Sequence, residues 1–222
     1  MLKNKADIKS LVYIFITTLL LIIQWLFLGV NTFIYTWYLF MSVAVSVMTH
    51  NHNHLPMWQS KTLNTLTDWW LTVFYGFPIF AWIPTHNKNH HRFNNRGGDD
   101  SITYRVSERN NFLTLITYPT ISGYYQQRAI FGYLKDLKAN NKEKFWLCNS
   151  QYVILFLWIA GALLLDWQKA LLFVIVPEGD LAQLFGARVF VDVGVGDEER
   201  AAVGHECVDG GVVAHAGLLA QD

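Results

Sequence analysis

Cysteine is nearly missing from this sequence: Cys148 and Cys207 are the two among 222 residues, and they form no C-x-x-C motif. That excludes a disulfide framework and a paired-thiol redox or metal motif. Net charge is missing as well, with 17 Lys and Arg against 17 Asp and Glu, so the basic excess of a nucleic-acid binder is lacking. No internal repeat is present. What the chain does have is apolar and aromatic surface: 52% hydrophobic residues, with 9 Trp, 10 Tyr and 15 Phe. That is high for a soluble domain, and the mean hydropathy is positive. The length fits one domain, with room for an appendage.

The neutral total hides two unlike parts. Residues 1–177 carry 15 Lys and Arg against 8 Asp and Glu, whereas 178–222 carry 2 Arg against 9 Asp and Glu.

Leu11 to Val30 contains no charge in 20 residues. A helix needs ~20 apolar residues to cross ~30 Å of hydrocarbon, so this segment spans a membrane. It is too long for a signal-peptide core, and no small-residue cleavage site follows. Asn31 turns the chain, and Thr32 to Thr49 is a second uncharged run, completing a tight hairpin. Lys3, Lys5 and Lys9 place the N-terminus on the cytoplasmic side by the positive-inside rule, and the second span returns His50 to that side. Trp69 to Pro84 is short and broken by Gly76, Pro78 and Pro84, which predicts an interfacial or re-entrant segment with Trp69, Trp70 and Trp82 at headgroup level. Phe112 to Leu134, interrupted by Pro119 and Gly123, is expected along the membrane surface. Tyr152 to Leu165 begins a third span, and Leu171 to Val176 begins a fourth that stops at Pro177. The expected fold is therefore all-α and integral to the membrane, with helical hairpins under a cytosolic histidine-rich cap and an irregular C-terminal tail.

Two histidine clusters carry the chemistry: HNHNH at 50–54 and HNKNHH at 86–91. On a helix His50 and His54 share a face, while His52 points away at ~200°. His86 and His90 repeat the spacing, with His91 ~100° further round on an α-helix. Each cluster thus offers a pair of imidazoles to one ion. Imidazole suits iron, zinc, copper and nickel. A zinc peptidase is poorly supported because no glutamate stands between the histidines, as H-E-x-x-H requires. Metal ligation is expected of His50, His54, His86, His90 and His91, and the pattern leaves His52 open. Asn51, Asn53, Asn87 and Asn89 stand between them, as helix-end polar residues or as supports for the rings.

With its hairpin, its two boxes about 30 residues apart and the NNRGGDD loop followed by TYR, the chain resembles the membrane fatty acid desaturases over roughly residues 10–177. The resemblance implies a non-haem di-iron centre at the cytosolic membrane face. It implies O2 as co-substrate, a fatty acyl lipid as substrate, and a ferredoxin or cytochrome b5-type protein as electron donor. Related di-iron hydroxylases, alkane monooxygenases and carotenoid ketolases have similar boxes, so the substrate stays open.

The resemblance also implies a third box, H-x-x-H-H, beyond the fourth span. The only later histidines are His205 and His215, ten residues apart. Residues 178–222 contain no Asn, Lys, Ile, Thr, Ser, Tyr, Trp, Pro or Met, and amino acids with A/T-rich codons vanish together. The expectation is that 1–177 form an incomplete desaturase-like domain. The acidic Gly-, Ala- and Val-rich 178–222 are then expected to come from a shifted or foreign reading frame. The chain is expected to be a fatty acyl desaturase left without activity by the missing box, with a related di-iron oxygenase or a non-catalytic metal-binding remnant as the alternatives.

Overall fold

The structure, a computed structural model, describes residues 1–28, 31–102, 104–105 and 111–177. The tail from 178 onward, with His205 and His215, lies outside the described residues, so the expectations placed on it are not addressed.

Among the described residues the fold is helical, with one isolated bridge between Leu2 and Trp58 and no strand. Helix α1 (Ile8–Ile23) passes into a π-helical turn at Gln24–Leu28. Asn31 caps α2 (Thr32–His54) by accepting from the Ile34 amide, which satisfies one of the donors every helix start leaves free. With the third long apolar helix, α6 (Lys142–Leu165), these give three segments long and apolar enough to cross a membrane. Each extends beyond the uncharged run seen in the sequence. The first histidine cluster is the last turn of a spanning helix, and α6 begins ten residues before Tyr152, capped by Asn141.

The segment around Trp69–Pro84 differs from the expectation. Ser60 caps α3 (Lys61–Tyr75), which runs unbroken to Gly76, where a φ of 73° ends it in the left-handed conformation that glycine adopts without strain. Its tryptophans are half-buried and tie it to its neighbours. Trp70 donates to Thr18 of α1 at 3.1 Å, and Trp69 donates to Ser150 of α6 at 2.8 Å. The reason is amphipathicity: α3 turns Leu71, Phe74 and Tyr75 into a core shared with Leu21, Tyr38, Met41, Val45 and Met48 of the first hairpin. Pro78 and Pro84 break the chain only after that face is buried.

Beyond α3, a 3-10 turn (Ile79–Ala81) leads to a π-helical segment (Ile83–His90) and a single turn, α4 (His91–Phe93). Gln151 of α6 anchors this corner. Its Oε1 accepts from Thr72 Oγ1 at 3.2 Å and from the Phe80 amide at 3.0 Å, all three buried. Helix α5 (Phe112–Asn140) continues through Pro119 and Gly123. The proline removes one of many backbone bonds, and burial of Ser122, Ile130, Tyr133 and Leu137 along one side holds the helix.

After α6, Asp166 caps the short α7 (Trp167–Ala170), and a second π-helical turn, Leu171–Ile175, follows. Tyr35 and Tyr38 of α2 donate to its Leu172 and Phe173 carbonyls at 2.9 and 3.1 Å. Lys169 donates to the Trp25 carbonyl at 2.8 Å. These bonds tie the two hairpins together at the end opposite the histidines. At the histidine end the N-terminus closes the fold, with Lys3 N donating to Met57 O at 2.8 Å and Gln59 N to Met1 O at 3.0 Å. The N-terminus and the first cluster therefore share one side.

Candidate metal centre

Helix α2 supplies His50 and His54 from one face of its last turn, their Nε2 atoms 3.1 Å apart. The second cluster enters differently from the α-helical reading. It lies in the π-helical segment and the first residue of α4, and the i→i+5 bonds of that segment widen the turn. Positions four and five apart then fall on either side of one direction, so His90 and His91 both sit beside His86. The ring centroids of His86 lie 5.2 Å from those of His90 and 4.7 Å from those of His91. A local cause is Pro84, which has no N–H to give to the preceding turn. Thr85 Oγ1 donates to the Ala81 carbonyl at 2.7 Å, replacing part of what the wider turn leaves free.

The two clusters meet. His50 Nε2 stands 3.0 Å from His86 Nε2, and His50, His54 and His86 form a group whose ligand atoms lie within 4.8 Å of one another. His91 closes the open side, its ring 5.1 Å from that of His54. Trp82 packs edge-on against His50 and His86, at 5.7 and 5.0 Å.

This geometry has a chemical consequence. A neutral imidazole has one N–H, so a single proton on His50 Nε2 can serve only one of its two close nitrogen neighbours. A cation serves all three. Imidazole–metal bonds of ~2.1 Å at right angles put two nitrogens ~3 Å apart, matching the spacings on both sides of His50. The residues therefore fit a metal ion. His86 is in the ligand form: burial, then the charges of His50, His91, His90 and His54, lower its pKa to about 2.

His90 has its Nδ1 2.7 Å from Oδ2 of Asp99. Asp99 is fully buried in the 94–101 loop. Burial opposes its charge, but hydrogen bonds from His90, Ser101 and Asn95 outweigh this and hold the carboxyl well below the usual range. His52 stands apart. It is buried on the opposite side of α2, with Nδ1 accepting from the Met57 amide at 3.3 Å and Nε2 3.1 Å from Asp68 Oδ1 of α3. Its place is at the α2–α3 junction, away from the convergent nitrogens.

Of the four asparagines, Asn51 alone is seen against a ring, at 3.4 Å from His50 Nδ1. Asn53 donates to the Thr49 carbonyl, Asn87 reaches the Asn53 carbonyl at 3.5 Å, and Asn89 holds the 94–101 loop. Asp99 and Asp68 were missed in the sequence. For Asp99 a signal existed: Asp-Asp after Gly-Gly, shortly beyond a histidine cluster, is a turn that returns a carboxylate toward that cluster.

A cavity of about 150 Å³ opens beside the centre, between the π-helical segment and α5. Its lining combines the apolar Trp82, Phe77 and Ile130 with the polar Tyr118, Ser122, Gln126 and Gln127, together with His86 and His90.

Compared with known proteins, no curated protein and no solved structure matches the chain. A family model described as fatty acid desaturase matches residues 12–205, a stretch that includes all six histidines of the two clusters. The convergent imidazoles, the three spanning helices and this match over most of the chain agree: the protein belongs to the fatty acid desaturase family.

Proposed function

We propose that the chain's histidine centre serves O2-dependent desaturation of a fatty acyl lipid. His50, His54, His86, His90 and His91 would hold a non-haem di-iron site at the cytoplasmic membrane face. In the overall reaction a CH2–CH2 unit loses two hydrogens, and O2 takes up these with two further electrons and two protons to give two waters. The electrons come from a ferredoxin or cytochrome b5-type donor. The observation that carries the proposal is the approach of His50 Nε2 to within 3.0 and 3.1 Å of the other two nitrogens, in a member of this family.

Iron, when bound, supplies the oxidising power that an unactivated C–H bond demands and that no amino-acid side chain has. The protein's part is placement. The rings of His50 and His54 are set by the last turn of α2, those of His86 and His90 by the π-helical segment, and that of His91 by the start of α4. Trp82, Phe77 and Ile130 give an acyl chain apolar lining in the cavity that His86 also lines, while Tyr118, Ser122 and Gln126 keep a polar end hydrogen-bonded. The cytoplasmic assignment rests on Lys3, Lys5 and Lys9, since the N-terminus packs on the loop after the first cluster.

The test is incubation of the purified protein in lipid with deuterated acyl lipid, O2 and a reduced donor. Loss of two deuteriums with formation of a double bond supports the reading. Gain of one oxygen assigns the chain to the hydroxylase, monooxygenase or ketolase branch instead. A second reading, a metal-binding membrane protein without turnover, is favoured by one observation: the sequence has no H-x-x-H-H. Bound iron without any product would establish it.

A further inference from the structure

We infer that Asp99 is a positioning residue of the metal centre. Its buried carboxylate holds His90 as the Nδ1–H tautomer, so that Nε2 is the ring nitrogen offered to a cation. This rests on the reading of His90 as a ligand.

The argument is a count of donors. Asp99 Oδ1 accepts from the Ser101 amide at 2.8 Å and from Ser101 Oγ at 2.7 Å. Oδ2 accepts from the Asn95 amide at 2.8 Å and stands 2.7 Å from His90 Nδ1. An ionised carboxylate is acceptor-only, with about four lone-pair sites. Three of its neighbours are groups that donate. A proton placed on the carboxyl would cost one of those bonds, so the fourth neighbour, His90 Nδ1, carries the hydrogen. Ser101 Oγ also lies 3.3 Å from His90 Nδ1, but its own hydrogen is given to Asp99. In a neutral imidazole with hydrogen on Nδ1, the remaining lone pair is on Nε2.

The loop is built so that this carboxylate cannot swing away. Asn94, Asn95 and Gly98 have φ values of 43°, 60° and 107°, which fold 94–101 back on the π-helical segment. A Cβ at Gly98 would meet the Phe93 ring at 2.9 Å, so that position admits no side chain without displacement. Asn89 clamps the loop from both sides, donating to the Gly98 carbonyl at 3.0 Å and accepting from the Asp100 amide at 2.7 Å. Arg105 donates to the Asp99 carbonyl at 2.7 Å while its guanidinium lies over Tyr125. The turn thus acts as a mould for a single carboxylate. The carboxylate in turn holds the His90 ring nearly parallel to that of His86, at 16°. Carboxylate partners of this kind fix the tautomer and orientation of metal-bound histidines, and their loss typically weakens metal affinity about 10- to 100-fold.

The experiment uses the full chain in lipid bilayers with 15N-labelled histidine. Solid-state NMR of the metal-free protein reads which nitrogen of His90 is protonated, with the signal assigned by its loss in His90→Gln. The expected result is hydrogen on Nδ1 in the native protein, and a mixed or reversed tautomer in Asp99→Asn, whose amide can donate to Nδ1. Ser101→Ala, which removes a donor to Asp99 and leaves His90 its partner, should keep the native tautomer. Cobalt(II) titration, followed by its visible absorption, should then show Asp99→Asn weakened about 10- to 100-fold and Ser101→Ala changed far less. An Nε2–H tautomer in the native protein overturns the inference, and so does a native tautomer with native cobalt affinity in Asp99→Asn. Failure of the native protein to bind cobalt overturns the metal reading itself, while the tautomer measurement still decides the role of Asp99.

Discussion

Replacing His52 by alanine and, separately, His54 by alanine separates the role of a residue that the sequence leaves open from that of an expected ligand in the same cluster. His52 is buried, accepts from the Met57 amide at 3.3 Å and stands 3.1 Å from Asp68. Without it the Met57 amide loses its acceptor at a site where Met57 is itself buried. A buried donor left unsatisfied costs about 1–3 kcal/mol. The Asp68 side chain keeps 32% exposure, so water replaces much of that half of the pair and little is added. His52→Ala should therefore lose about 1–3 kcal/mol of stability and keep its metal. His54→Ala should do the reverse. Its Nε2 is one of three convergent nitrogens, so the metal loses a ligand. The assay is thermal unfolding of the metal-free variants in detergent, with iron quantified after reconstitution. The reasoning is refuted if His52→Ala loses iron as His54→Ala does while its Tm matches that of the native protein.

Three further outcomes follow from the same geometry. Gln151→Leu removes the acceptor of the buried Phe80 amide and should cost about 1–3 kcal/mol in unfolding experiments, since that bond anchors the corner from which the second cluster departs. Gly123→Leu places a side chain where nothing lies within 4 Å of a Cβ, on the cavity lining, so the fold should persist while quenching of tryptophan fluorescence by a brominated acyl lipid falls. The metal-free protein should lose stability as pH falls from about 6.5 toward 2. Over that range the unfolded chain protonates His86, whereas burial and its histidine neighbours prevent this in the fold. His86→Asn should flatten that part of the pH profile.

The spans were legible because charge-free length is a direct requirement of the hydrocarbon core, and the His50–His54 pair because helical spacing puts both on one face. The register of the second cluster was not. An α-helical reading moves His91 a quarter-turn away, whereas the π-helical turn brings it beside His86. His52 could not be resolved because its partner, Asp68, comes from the next helix, and the α2–α3 packing that joins them has no local pattern. The same holds for α3. Its prolines suggested a broken surface segment, but the amphipathic face ahead of them, closed at Gly76, decides its burial. Asp99 has three carboxylate contacts inside its own loop and a fourth to His90, and composition alone reads such a satisfied carboxylate as turn chemistry.

The most direct test of the central claim is X-ray absorption at the iron edge on the reconstituted full chain, compared with the His50→Ala/His54→Ala/His86→Ala variant. The account predicts bound iron with an imidazole nitrogen shell at ~2.1 Å that vanishes in the variant. Iron bound with the same spectrum in both proteins, or in neither, would contradict it.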